Sequence, residues 1–249
     1  MAFKTGVRVT PSADRLYSTW GGTTGFTSRT ISLSDSNSRK CWISIFSVIL
    51  KASGVKKVVN LSSVGADQAD GIGPVSGLHL AEEALKSLNG VDIRHLRAGF
   101  FYTNFYSAIG MIRQAGIYGN NYGADAPVAM VHPRDIAAAA AEELLSLGFK
   151  GSNVRYVVSD ERTSREITAV LGASIGKPGL PFVPFSDEDN RNGILGAGLS
   201  AEVADNYTEM GVAVRTGLMF KDYEKHRPLL SPTKFEDFAK EFAAAYAAA

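Results

Sequence analysis

The sequence predicts an α/β protein, a parallel β-sheet flanked by helices, with a small, mostly helical region at the carboxyl end. Three observations carry that prediction. Short apolar runs at Val58 to Leu61, Val91 to Leu96, Pro127 to Val131 and Val154 to Ser159 alternate with segments of helical period. The stretch from Ala52 to Asn104 has the order and spacing of a strand, a crossover helix and a second strand, a unit that is almost always right-handed. Finally, 249 residues with 45% hydrophobic and 20% charged side chains suffice to bury a substantial core.

Each element has a local reason. Phe3 to Val9 fits one strand, and Ser12 to Leu16 fits the start of a helix capped by Ser12. Ser18 to Ser38 is dense in Ser, Thr, Gly and Arg and reads as loop. Trp42 to Ser53 is a helix that Gly54 closes, since the residue past a helix end often needs positive φ. Val58, Val59 and Leu61 suit a strand covered on both faces. The next helix takes Ser76 as its N-cap and Gly90 as its stop. Leu78, Ala81, Leu85 and Leu88 form its apolar stripe; His79, Glu82, Glu83 and Lys86 fall on the other side.

Val91, Ile93 and Leu96 form the second strand, which Ala98 to Phe101 ends. Tyr106 to Ala115 is a helix stopped by Gly116, and Pro127 to Val131 is a short strand. Pro133 opens an alanine-rich helix running to Leu147, because its missing N–H costs nothing in a first turn. A strand at Val154 to Ser159, a helix from Thr163 to Ile175 capped by Thr163 or Ser164, and an extended piece at Leu180 to Phe185 follow. Helices at Asp187 to Ala197, Ala201 to Gly217 and Thr233 to Ala247 complete the chain. The last carries Phe235, Phe238, Phe242 and Tyr246 at helical spacing.

Bulk properties exclude several partners. A net charge of +1 gives no attraction to nucleic acid or to an anionic membrane. Trp42 to Leu50 is too short to span a bilayer, and Met1 to Thr10 lacks the build of a signal peptide. Cys41 stands alone, so no internal disulfide forms; a cytoplasmic location is expected. His95 and His226 lack metal-ligand spacing, and no metal site is predicted.

The segments VKKVVNLSSVGAD, GIGPVSGLHLAEEAL, VDIRHLRAGFFYTNF, PVAMVHPRDIAAAAAEELL and SIGKPGLPFVPF, from about Lys51 onward, are similar to the NmrA-like proteins, an atypical branch of the short-chain dehydrogenases/reductases. The resemblance implies a Rossmann-like domain over residues 1–159 that binds NADP or NAD, and a mostly helical region, 160–249, walling the substrate side. It implies an NAD(P)H-dependent oxidoreductase of quinones or azo compounds, or else a non-catalytic redox sensor that binds the dinucleotide. Residues 1–51 depart from the family pattern. They hold no strand, glycine-rich turn and helix in that order; Gly21 to Phe26 has no apolar strand before it. Thr5 to Val9 and Ser12 to Leu16 resemble the family's second strand and second helix, so the sheet is expected to be N-terminally incomplete. A misread gene start would explain that, and the chain would then be a fragment with impaired cofactor binding. The strand at Val58 would keep an open edge for Phe3 to Val9 or for a second copy of the chain, a homo-oligomer.

Matching positions give the expected site. Leu61, Ser62 and Ser63 at one strand end, and Ala98, Gly99, Phe100 and Phe101 at the next, border the cofactor. Ordinary short-chain dehydrogenases use a Ser with a Tyr-x-x-x-Lys pair. Here Ser63 or Ser62 takes the serine place, and that spacing holds His79 and Glu83. A His beside a carboxylate donates a proton near neutral pH, so His79 and Ser63 are the catalytic candidates; a surface ion pair is the other reading. Without the tyrosine and lysine, standard carbonyl reduction is not expected. Ser62 and Ser63 equally suit strand-end bonds to backbone, and Phe100 and Phe101 equally suit core packing. Asn104 is expected to cap the following helix, and His132 and Asp135 to be structural.

Overall fold

The structure, a computed structural model, describes residues 50–249 and, ahead of them, a short antiparallel pairing of Arg15–Leu16 with Ile31–Ser32. That pairing replaces the helix expected at Ser12 to Leu16 and interrupts the loop expected at Ser18 to Ser38; a backbone ladder needs no apolar stripe. The strand expected at Phe3 to Val9, the Gly21 to Phe26 cluster, Cys41, and most of the helix expected at Trp42 to Ser53 lie outside the described residues.

Residues 50–53 are helical, and Gly54 follows at φ 73°. The sheet then begins with β1 (Lys57–Ser63), crosses through α1 (Ser76–Lys86), and returns as β2 (Asp92–Ala98). β6 (Ser152–Val157) completes a parallel set in the order β1-β2-β6. A second set continues it, with β3 (Phe100–Phe101) parallel to β5 (Pro127–Val131) and β7 (Asp160–Thr163) antiparallel to β5. Between them run α2 (Ala108–Ala115), β4 (Tyr118–Asn120) and α3 (Pro133–Ser146). The carboxyl part adds α4 (Ser164–Ser174), β8 (Phe182–Pro184), α5 (Asp187–Gly196), α6 (Ala201–Arg215) and α7 (Phe235–Ala248). β4 and β8 form a small parallel pair of their own, a pairing that connects segments far apart in sequence.

Strand alternation divides the sheet between two helical layers. Leu96, Ala98 and Val157 meet Ile136 and Ala139 of α3 on one face. On the other, Ser62 reaches α1 and Tyr156 reaches the segment around Asp222. The larger core is aromatic: Tyr102, Phe105, Phe235, Phe238 and Phe242 are buried together, with ring centroids of Tyr102 and Phe105 5.2 and 5.3 Å from that of Phe235. Asp135 fixes the approach to α7. It accepts from Thr233 Oγ1 at 2.8 Å, Thr233 N at 3.2 Å and Ser159 Oγ at 2.6 Å. Tyr102 Oη adds a bond to the Thr233 carbonyl at 3.1 Å.

Most predicted elements stand within a residue or two of their expected ends; four expectations change. Ser76 is the first residue of α1 rather than its cap, because a 3-10 turn at Gly73–Val75 runs straight into the helix and the Ser76 hydroxyl returns to the Gly73 carbonyl. Glu82 sits on the buried side of α1 (6% exposed), paired with an arginine of β2. Leu61 remains 48% exposed, and among the described residues β1 has a strand neighbour only in β2. Asn104 caps nothing: it lies exposed within a 3-10 turn, Tyr102–Ser107, and its carbonyl accepts from the Ser107 hydroxyl.

Candidate functional site

In an open parallel sheet, ligands gather beyond the carboxyl ends of the strands. Here that edge brings together Ser63 with the loop 64–72, the Ala98 to Phe101 turn, and Ser159 after β6. The loop is tightly wound, with Ala66 N donating to Ser63 O at 3.1 Å and Gln68 N to Gly65 O at 2.9 Å. Gly65, at φ 89°, lies against Met219; a Cβ there would fall 2.4 Å from the thioether sulfur.

His79 projects from α1 toward this loop. Its Nδ1 lies 2.9 Å from the Ala66 carbonyl, so Nδ1 carries the proton and Nε2 the lone pair. Among the described residues Nε2 has no partner. The expected His79–Glu83 pairing does not form; Glu83 is exposed and faces Lys86 at 3.5 Å. A backbone carbonyl, rather than the expected carboxylate, is the partner of the imidazole and fixes its tautomer.

The two serines differ. Ser62 is buried and donates to Glu82 Oε1 at 2.5 Å, while Ser63 Oγ donates to the Val64 carbonyl at 2.8 Å. Glu82 in turn receives Arg97 Nη2 at 2.7 Å and Nε at 3.1 Å, a bidentate pair. Arg97 Nη1 also reaches Tyr156 Oη at 3.1 Å and Asp222 Oδ2 at 3.2 Å. Burial alone would lower the Arg97 pKa, but its bonds to Glu82 and Tyr156 raise it above the ordinary value. Tyr156 is pushed up by burial and by its bond to Asp222. This network was missed from sequence, although Glu82 stands four residues after Leu78 and three before Leu85, on the stripe itself.

The second predicted strand end is used by the protein. Ala98 O accepts from Val64 N at 2.9 Å, and Gly99 N donates to Val157 O at 3.1 Å. Gly99 permits a close approach, but to β5: a Cβ would sit 2.7 Å from the Ala129 carbonyl oxygen. Phe101 packs on the Leu96–Val131 cluster, whereas Phe100 turns to the other core, 5.2 Å from Phe105 and 6.1 Å from Tyr122 between centroids. The backbone groups Ala98 O and Gly99 N are thus engaged within the protein. Leu61, Ser63 and Phe100 stay partly open to solvent at this edge. Among the described residues no acidic, His or Cys cluster is arranged to hold a metal ion, and no helix is long and apolar enough to cross a membrane.

No family model matches the chain. It is 30% identical over 198 residues to the (4-alkanoyl-5-oxo-2,5-dihydrofuran-3-yl)methyl phosphate reductase of Streptomyces griseus, covering 79% of this chain and 69% of that protein. It is 26% identical over 203 residues to the NAD(P)H azoreductase of Xenophilus azovorans, covering 80% and 69%. Among solved structures, the NADPH-dependent quinone oxidoreductase of Escherichia coli complexed with NADPH superposes with a TM-score of 0.71, at 23% identity, over 84% of this chain and 73% of that one. Its fold is thus the Rossmann-like α/β arrangement of those reductases. The chain belongs to the NmrA-like branch of the atypical short-chain dehydrogenases/reductases.

Proposed function

We propose that this protein is an NAD(P)H-dependent reductase that transfers hydride to a small, electron-poor organic acceptor of the quinone or azo type. The observation that carries the reading is the agreement of two curated relatives, both reductases, each across about four-fifths of the chain. The nicotinamide, when bound, supplies hydride; the acceptor takes it together with one proton, giving the oxidised cofactor and the two-electron-reduced product. Leu61, Ser63 and Phe100 border the ring, while Ser62, Ala98, Gly99 and Phe101 hold that border in place through Glu82, Val64, Val157 and the Leu96 cluster. His79 is the proposed proton donor. With Nδ1 tied to Ala66, only Nε2 exchanges a proton, and it donates in the imidazolium form. Residues 160–249 are proposed to form the acceptor side.

Titration of the purified chain with NADPH and NADH, read by melting temperature, tests the cofactor half; loss of reduced-nicotinamide absorbance with a quinone tests the rest. Saturating cofactor is expected to raise the melting temperature by several degrees. His79→Gln is expected to lower kcat about 100-fold with cofactor affinity unchanged. No thermal shift at millimolar cofactor would sink the reading, and binding without turnover would leave a dinucleotide sensor in its place.

A further inference from the structure

Tyr122 stands in the connection between β4 and β5, beside the ring of Phe100. That connection is held firmly from behind. Tyr122 N donates to Asn120 Oδ1 at 2.9 Å. Asn121 is buried and gives its amide to Asp187 Oδ1 and to the Thr208 carbonyl, both at 2.9 Å. Arg215 donates to the Asn121 carbonyl at 2.6 Å and clamps Asp187 with both terminal nitrogens at 3.0 Å. The loop is therefore locked onto α5 and α6, and the Tyr122 ring meets Phe100 edge to face, interplanar angle 82°.

The hydroxyl at the tip of that ring is unspent. Among the described residues nothing hydrogen-bonds it. The neighbouring Asn120 Nδ2 donates to Tyr118 Oη at 3.3 Å, and Tyr118 and Tyr207 act on Tyr122 only electrostatically. Burial pushes the phenol well above its ordinary pKa, with the two neighbouring phenols adding to the rise. The group is thus a neutral donor throughout the working pH range. A rigidly placed, half-buried donor without a protein acceptor is what a site built to bind a ligand oxygen presents.

We propose that Tyr122 binds the acceptor, its hydroxyl donating a hydrogen bond to the carbonyl oxygen of a flat, quinone-like molecule seated against Phe100. The assignment rests on the reductase reading above. As hydride reaches the acceptor, negative charge grows on that oxygen and the bond strengthens. Tyr122 keeps its proton; the one that completes the product comes from His79 or water.

The test is equilibrium binding of menadione, a naphthoquinone, to the full chain with and without NADP⁺, beside 2-methylnaphthalene, which lacks both oxygens. Tyr122→Phe is expected to weaken menadione about tenfold, to leave 2-methylnaphthalene and NADP⁺ unchanged, and to melt with wild type. A merely structural role would move both ligands together. Equal menadione affinity in the two proteins, or no menadione binding by wild type, overturns the proposal. Should Y122F fail to fold, wild type still decides: 2-methylnaphthalene bound as tightly as menadione excludes an oxygen contact. Failure of the reductase reading shows separately, as absent NADPH oxidation despite acceptor binding.

Discussion

His95 shows what one buried residue does to the pH response. It lies in mid-strand, 2% exposed, with Nδ1 3.1 Å from the Asn60 amide nitrogen and Nε2 3.2 Å from Ser152 Oγ. An amide donor at Nδ1 requires the lone pair there, so the ring is neutral and protonated on Nε2. Burial lowers its pKa below the usual 6.5, with Arg97 adding to the fall and Glu82 opposing it. The unfolded chain therefore binds the proton first as pH drops. Stability is full above about pH 6.5 and is lost as pH falls through the folded-state value. The melting temperature of wild type is expected to fall between about pH 8 and pH 5 more steeply than that of His95→Gln. Parallel slopes would show that another group controls the response.

Between elements, the decisive contact is Arg97 with Glu82, which fastens α1 to β2 and brings Ser62 of β1 into the same cluster. Both charges are more than nine-tenths buried, so removing one strands the other. Arg97→Met is expected to cost about 3–5 kcal/mol, read from the urea midpoint at unchanged slope, and R97M combined with Glu82→Leu to recover part of it. Equal loss in the single and double variants would show that the pair itself carries net stability. Because His79 lies one turn before Glu82 on the same helix, the pair also sets how α1 presents the imidazole.

Across the whole molecule, the aromatic core joins early and late sequence. It runs from Val64 after β1 to Phe242 in α7, and Asp135 ties the start of α7 back to β6. With one core shared in this way, the described regions are expected to unfold together, with far-ultraviolet dichroism and tyrosine fluorescence giving coincident transitions. Phe238→Ala, at a side chain with 0% exposure, is expected to cost about 3–5 kcal/mol and to lower both transitions equally. Two separated transitions would instead divide the sheet from the carboxyl helices.

Local signals sufficed for much of this protein. Apolar runs marked β1, β2 and β5, Pro133 and Gly116 marked helix ends, and the cap expected at Thr163 or Ser164, which is Thr163, marked α4, because each depends on neighbours within a turn or a strand. The family followed from the same segments. The pairing of β4 with β8, the turning of Glu82 inward to Arg97, the use of Gly99 against Ala129, and the meeting of Tyr122 with Phe100 were decided only by the tertiary structure. Each joins residues distant in sequence, where a polar side chain reads as solvent-facing until a partner closes over it.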